Sequence, residues 1–203
     1  MSELMDARRP LSGSDVRVPD FDAVYGADAD PWEVDSSWYE RRKLGVLLAS
    51  LPRESYASVW EPGCGPGITT TALAGRTSRL FATDSSQIAV DLARERCGAL
   101  PQVSVQRSAV PDVPLRSPVE LVVVAEFLYY VEDLQAAVDA LWSVALPGTQ
   151  IAFLHWAHRP EDAFRSGPEM HARIAIDAVE REAVRVVTHS DEHFMLDIYE
   201  ATS

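Results

Sequence analysis

Between Val59 and Ala74 the chain reads VWEPGCGPGITTTALA: an acid, then three glycines at alternate positions, then a helix-like run. One glycine is enough for a turn. Three so close together leave the backbone bare, which matters where a ligand must approach it. The pattern Glu61-x-Gly63-x-Gly65-x-Gly67 departs from the dinucleotide fingerprint, whose third glycine would fall at Ile68, and an acid ahead of the loop repels a pyrophosphate. A nicotinamide-dependent oxidoreductase is disfavoured on that ground. A ligand with cationic groups and a ribose, but no phosphate, suits these residues better. S-adenosylmethionine, with its sulfonium and ammonium, is such a molecule. Asp84, closing LFATD, then offers a carboxylate to the ribose hydroxyls, with Ser85 beside it.

Other residues carry chemistry further along. Glu126 follows LVVVA, and a charge at the end of an apolar strand faces either a site or an ion pair. His155 and His158 follow the apolar run QIAFL, and His171 comes soon after. Imidazoles titrate near neutral pH, so Glu126, His155 and His158 form the candidate catalytic set, with a histidine accepting the acceptor's proton. Tyr129 and Tyr130 are expected to divide between core and pocket, and Trp156 and His171 complete the candidate substrate-binding set. Trp32 and Tyr39 precede the first strand and would fold back as a lid over the cofactor or pack as ordinary core aromatics. The short basic run Arg41, Arg42, Lys43 reads as a solvated helix face.

These residues need elements to hold them. Leu44, Leu47, Leu48 and Leu51 fall at i, i+3, i+4, i+7 and predict a helix over about Ser37–Leu51, stopped by Pro52. After it, apolar runs alternate with helical ones: ASVWE, GITTTALAG, LFATD, SQIAVDLARERCG (with Ile88 and Leu92 on one face), VSVQR, VELVVVAEF, a helix from Leu134, QIAFLHW, and GPEMHARIAIDAV. AVRVVTHS and HFMLDIYEA close the chain as a tight strand pair. The expectation is an α/β, Rossmann-like, doubly wound and mostly parallel seven-stranded sheet with an antiparallel last strand and an N-terminal helical cap. Residues 1–20 read as a flexible tail and 21–203 as one domain, with the cap over 21–52 and the core over 57–201. In such sheets ligands sit beyond the carboxyl ends of the strands, where the glycine loop lies.

At this point the chain resembles the class I S-adenosylmethionine-dependent methyltransferases over about Val59–Ala201. It is most similar to the nodulation-type (NodS-like) N-methyltransferases. DPW at Asp30–Trp32 with YERRK from Tyr39 resembles that family's cap, and AEFLYYVED, HWAHRPEDAFRSGPEMH and HSDEHFMLDIYEA resemble its later blocks. The resemblance implies that Glu61, Gly63 and Gly65 hold the methionine end and Asp84 the ribose. It also implies an adenine contact near Ala109, where the family carries an aspartate and this chain has alanine. Ala109 and Val110 would grip adenine through backbone groups, or Asp112 would reach in. The implied reaction is N-methylation of a small polar acceptor such as an amino sugar. O-methylation of a small metabolite, or cofactor binding without catalysis, are the alternatives.

Composition bounds the rest. The 203 residues carry 18 basic and 31 acidic side chains, a net charge of −13, which disfavours nucleic acid and anionic membrane as partners. Cys64 and Cys97 are isolated thiols, there is no signal-like apolar stretch, and no zinc-ligand spacing surrounds the five histidines. A cytoplasmic protein with no metal is the expectation; oligomeric state is left open.

Overall fold

The computed structural model describes residues 17–202. In chain order it contains α1 (Phe21–Ala27), α2 (Trp38–Ser50), β1 (Val59–Pro62), α3 (Ile68–Ala74), β2 (Leu80–Asp84), α4 (Gln87–Cys97) and β3 (Val103–Arg107). There follow β4 (Leu121–Ala125), a short 3-10 helix (Leu128–Tyr130), α5 (Leu134–Trp142), β5 (Gln150–Trp156), α6 (Gly167–Glu180), β6 (Val184–Ser190) and β7 (Phe194–Glu200). The seven strands form one sheet in the order β3-β2-β1-β4-β5-β7-β6. Only β7 runs against its neighbours, pairing antiparallel with both β5 and β6. The expected tail over 1–20 lies outside the described residues up to position 16, while Asp20 already caps α1 by accepting from the Asp22 and Ala23 N–H groups.

The apolar strands serve two cores at once. In β4, Val122 and Val124 join Trp60, Ile151 and Phe153 against α5 and α6, whereas Leu121 and Val123 join Leu80, Leu154 and Leu196 against α2 and α3. That is why these strands read as continuous rather than alternating apolar runs. Side chains caps set the helix starts: Ser37 for α2, Ser86 for α4, and a reciprocal Ser166–Glu169 box for α6. The face that Ile88 and Leu92 share is not the buried one. On α4 the buried residues are Ala89, Val90, Ala93 and Cys97, while Ile88 is turned outward to α1 and Leu92 is only half-buried. The helix lies so close to α3 that only small side chains fit between them.

Gly67 shows how tight that packing is. It is the N-cap of α3 with φ +83°, and a Cβ there would lie 3.1 Å from the Ala93 Cα. The helix α4 backbone cannot withdraw from that contact, and φ is in the region that favours glycine. Gly67→Ala should therefore lower stability by about 1–3 kcal/mol, combining left-handed strain with the clash. Urea unfolding of the variant checks this, and an unchanged midpoint would overturn it.

Candidate active site

The carboxyl ends of β1, β2 and β4 open into a cavity of about 820 Å³. Three carboxylates from these ends reach it. Glu61 lies within β1, accepts a 2.6 Å hydrogen bond from the Thr70 hydroxyl and is buried. Burial, with the like charge of Asp84 adding to it and the Thr70 hydroxyl opposing it, pushes the Glu61 carboxyl up to about 8. Asp84 closes β2; its Oδ2 accepts the Gly65 N–H and its Oδ1 the Ser86 N–H, both at 2.9 Å. Burial raises its carboxyl and those backbone donors hold the rise back. Asp84 thus ties the glycine loop to the next strand while lining the cavity.

The loop itself is a bare cradle. Gly63 has φ +69°, and a Cβ there would sit 2.5 Å from Phe127; a Cβ on Gly65 would sit 2.9 Å from the Tyr25 hydroxyl. Gly63, Gly65 and Ser85 line the cavity, and Ser108, Ala109 and Val110 wall its far side. Gly67 does not line it, since its role is the packing against α4. Asp112 does not line it either; its N–H is turned back onto the Ala109 carbonyl at 2.9 Å.

Glu126 follows β4 with φ +61°, a strained conformation for a side-chain-bearing residue. Its Oε1 lies 2.6 Å from the Lys43 ammonium and its Oε2 accepts the Trp156 N–H at 3.1 Å. Both expected alternatives hold together: Glu126 makes an ion pair and lines the cavity. Burial raises its carboxyl and Lys43 opposes that.

The cap closes over these groups. The turn carrying Trp32 is shaped by Asp30, whose carboxylate accepts the Val34 and Asp35 N–H groups at 2.7 and 3.1 Å. Trp32, 43% exposed, meets the Tyr25 ring edge-on at 5.6 Å, and Phe21 meets Tyr130 at 5.2 Å. Trp32, Tyr39, Tyr129, Tyr130 and Trp156 all line the cavity, with Tyr129 belonging to the core as well.

The three histidines are a correction. His155 is fully buried on the opposite face of β5 from Leu154 and Trp156, with Nδ1 3.2 Å from His171 Nε2. His171 Nδ1 in turn lies 2.6 Å from Asp197 Oδ2, so the pair is directed into the layer between β5, α6 and β7. His158 is exposed and packs on the Trp156 ring at 4.9 Å. None of the three lines the cavity: the pleat of β5 turns His155 away from it, His158 lies past the end of the strand, and His171 is on α6 facing His155.

Lys43 was misplaced as well. It is 5% exposed, held between Glu126 and Glu40, the latter at 2.9 Å, and it lines the cavity rather than facing solvent. The signal was present: Tyr39, Lys43, Leu47 and Leu51 recur at i, i+4, on the apolar stripe of α2. Phe21 and Tyr25 on α1, Phe127, and Asp162 after β5 are further lining residues that the sequence did not single out.

Fold and loop together define the class I S-adenosylmethionine-dependent methyltransferase architecture. The chain belongs to the nodulation protein S (NodS) family, whose model matches residues 24–190. It is 34% identical over 128 residues to nodulation protein S of Rhizobium tropici, spanning 61% of this chain and 54% of that protein. It is 32% identical over 127 residues to a trans-aconitate 2-methyltransferase of Variovorax paradoxus (strain S110), spanning 61% of this chain and 48% of that one. The chain thus spans about half the length of these curated relatives. Among solved structures, the N-methyltransferase NodS from Bradyrhizobium japonicum WM9 in complex with S-adenosyl-L-homocysteine superposes with a TM-score of 0.72 at 25% identity. That match covers 87% of this chain and 94% of the other.

The buried imidazole makes a stability prediction. Burial, then His171, then the Lys43 charge hold His155 well below its ordinary titration, so it is neutral when folded. Unfolded, it protonates near pH 6.5. The unfolded chain therefore binds more protons below that pH, and His155 should make stability fall there by up to ~1.4 kcal/mol per pH unit. Urea unfolding over about pH 5–7 should show a smaller slope in His155→Phe than in wild type, and equal slopes would contradict a buried neutral imidazole.

Proposed function

We propose that the protein transfers a methyl group from S-adenosylmethionine to the amine of a small polar acceptor of the amino-sugar type. The observation that carries this reading is the charge of the cavity. Among the described residues its lining holds five acidic side chains, Glu40, Glu61, Asp84, Glu126 and Asp162, of which Glu61 ionises only when a cation arrives, against one basic side chain, Lys43, which is already paired. Such a lining favours a cationic cofactor and an acceptor whose neutral amine can donate its N–H groups to carboxylates. It disfavours a polycarboxylate such as trans-aconitate, whose charges would meet Glu126 and Asp162 on the lining, two acids whose charge also acts on Tyr130.

The cofactor would supply a methyl carbon made electrophilic by its sulfonium. Glu61 and the Gly63–Gly65 backbone would hold its methionine end, Asp84 and Ser85 its ribose, and backbone groups of Ala109 and Val110 its adenine. Alignment of the acceptor is then the main task of the protein. Glu126 would orient the acceptor nitrogen through an N–H, and the aromatic walls exclude water. With the histidines off the cavity, no imidazole takes the acceptor's proton; the amine enters free of it, so the rate follows the amine's own titration.

Glu61 gives a test of the cofactor half. Near pH 7 its carboxyl is protonated in the free protein, since it is pushed up to about 8. An ammonium beside it favours the charged form, so binding should release up to about one proton, and affinity should rise with pH until Glu61 is ionised in both states. Calorimetry with S-adenosylhomocysteine in two buffers of different ionisation enthalpy reads this directly. Identical enthalpies would remove Glu61 from that role, and Glu61→Gln should abolish the difference.

The acceptor half is tested by mass spectrometry with paired acceptors that differ only in amine against hydroxyl, D-glucosamine and D-glucose. Methylation of the amine alone, with kcat/KM rising through the amine's titration, is expected. Glu126→Gln should lower it roughly ten- to a hundredfold, the worth of one charge-assisted hydrogen bond. Methylation of hydroxyl or carboxylate acceptors only would sink the reading.

A further inference from the structure

Lys43 is a buried cation that none of the chemistry above uses. Its ammonium lies 2.6 Å from Glu126, 2.9 Å from Glu40 and 4.9 Å over the Tyr39 ring, on a helix that is itself pinned to the β6–β7 turn by Arg42–Asp191 at 2.6 Å. A surface lysine would be free to move. This one is 5% exposed and has three fixed neighbours. Burying an ammonium is costly unless it is matched, so a lysine held in this position implies a carboxylate that must stay ionised.

Glu126 is that carboxylate. Around it stand Lys43, Glu40 and Tyr39 from α2, the Trp156 N–H from β5 and Tyr130 from the 3-10 helix. His155 lies behind the strand and is neutral. Among the described residues, Lys43 is thus the one cation facing a group whose other side-chain neighbours are Glu40 and two phenols. Remove it, and Glu126 would keep its burial and its acidic neighbour but lose its counter-charge.

We propose that Lys43 is a positioning residue for the transfer reaction, acting through Glu126: it holds the carboxylate as an anion and fixes its Oε1, leaving the Oε2 side, beside Trp156, to receive the N–H of the acceptor amine. The role rests on the amine reading given above, but part of it can be measured without any acceptor. Lys43 touches neither reacting atom in this account. It sets the charge and direction of a group that does.

The experiment compares wild type with Lys43→Met, which keeps the length and removes the charge, and Lys43→Arg, which keeps the charge. In the free protein, carbon-13 NMR of glutamate carboxyls, with Glu126 assigned through Glu126→Gln, follows its titration. Lys43→Met should move that titration up by roughly one to three pH units, the usual effect of losing an opposite charge at this distance, and Lys43→Arg should restore it. With D-glucosamine, kcat/KM expressed per unprotonated amine, which removes the amine's own titration, should keep an acid limb that moves with the carboxyl, and Lys43→Met should cost little further in a Glu126→Gln background. Calorimetry with S-adenosylhomocysteine confirms that each variant is folded and binds.

A Glu126 titration unmoved in Lys43→Met would overturn the proposal, and so would a moved titration with an unmoved acid limb, which leaves Lys43 a strut for α2. If wild type methylates no amine, the amine reading fails by itself. The position of the Glu126 titration then still decides whether Lys43 holds that carboxylate charged. If Lys43→Met does not fold, Lys43→Gln and Lys43→Arg carry the same comparison.

Discussion

Three carboxylates leave water at the ends of three adjacent strands, and each is compensated differently. Asp84 receives two backbone N–H groups, Glu126 receives an ammonium and one N–H, and Glu61 receives a single hydroxyl. Charge buried without partners is expensive, and the response of a carboxyl is to hold its proton. The ladder of compensation is therefore a ladder of protonation. Glu61, the least compensated, stands ready to lose a proton when a cation arrives, while Asp84 and Glu126 have partners that favour their charged forms. The glycine loop, the β2–α4 turn and the cap helix each owe part of their position to one of these acids.

The cap is joined to the sheet through this same requirement. Helix α2 contributes Lys43 to Glu126 and Arg42 to Asp191, and the Tyr39 hydroxyl reaches the His193 carbonyl at 3.4 Å. Helix α1 is only seven residues long and is held by tertiary contacts: the Asp22 carboxylate accepts from the Ser86 hydroxyl at 2.6 Å, and Tyr25 lies on the glycine loop. So short a helix has little stability of its own. Its place over the cavity depends on the β2–α4 turn, which Asp84 in turn organises.

This division explains what could be read in the sequence. LFATD and QIAFLHW coincide with β2 and β5, because strands buried on both faces leave nearly uninterrupted apolar runs, and VSVQR coincides with the half-exposed edge strand β3. The glycine loop and Asp84 were legible because their types and spacing have few other uses. Helix α1 was not, since FDAVYGA is only seven residues long, too short for Phe21, Val24 and Tyr25 to stand out as a helical period, and it is ordered by contacts with distant residues. His155 comes at the right edge of the sheet but on the wrong side of its strand, a matter of pleat parity that composition does not carry, while His158 falls past the strand end and His171 on α6. Lys43 was hidden among arginines, where charge outweighed the i, i+4 stripe it occupies.

The place of β7 has a consequence for how the molecule comes to be. It is the last strand in chain order, yet it lies inside the sheet, between β5 and β6. Until residues 194–200 arrive, β5 offers an open row of hydrogen-bonding groups along seven positions, from Gln150 to Trp156, with Phe153 and Leu154 among them. Long-range pairing of this kind forms slowly, and an unpaired apolar edge is open to pairing with other chains in the meantime. During synthesis the half of the sheet built on β1–β4 can settle first, while β5, α6 and β6 wait on a strand still to come. Asp197, buried in that late strand beside His171, joins α6 to the sheet only when the last piece is inserted.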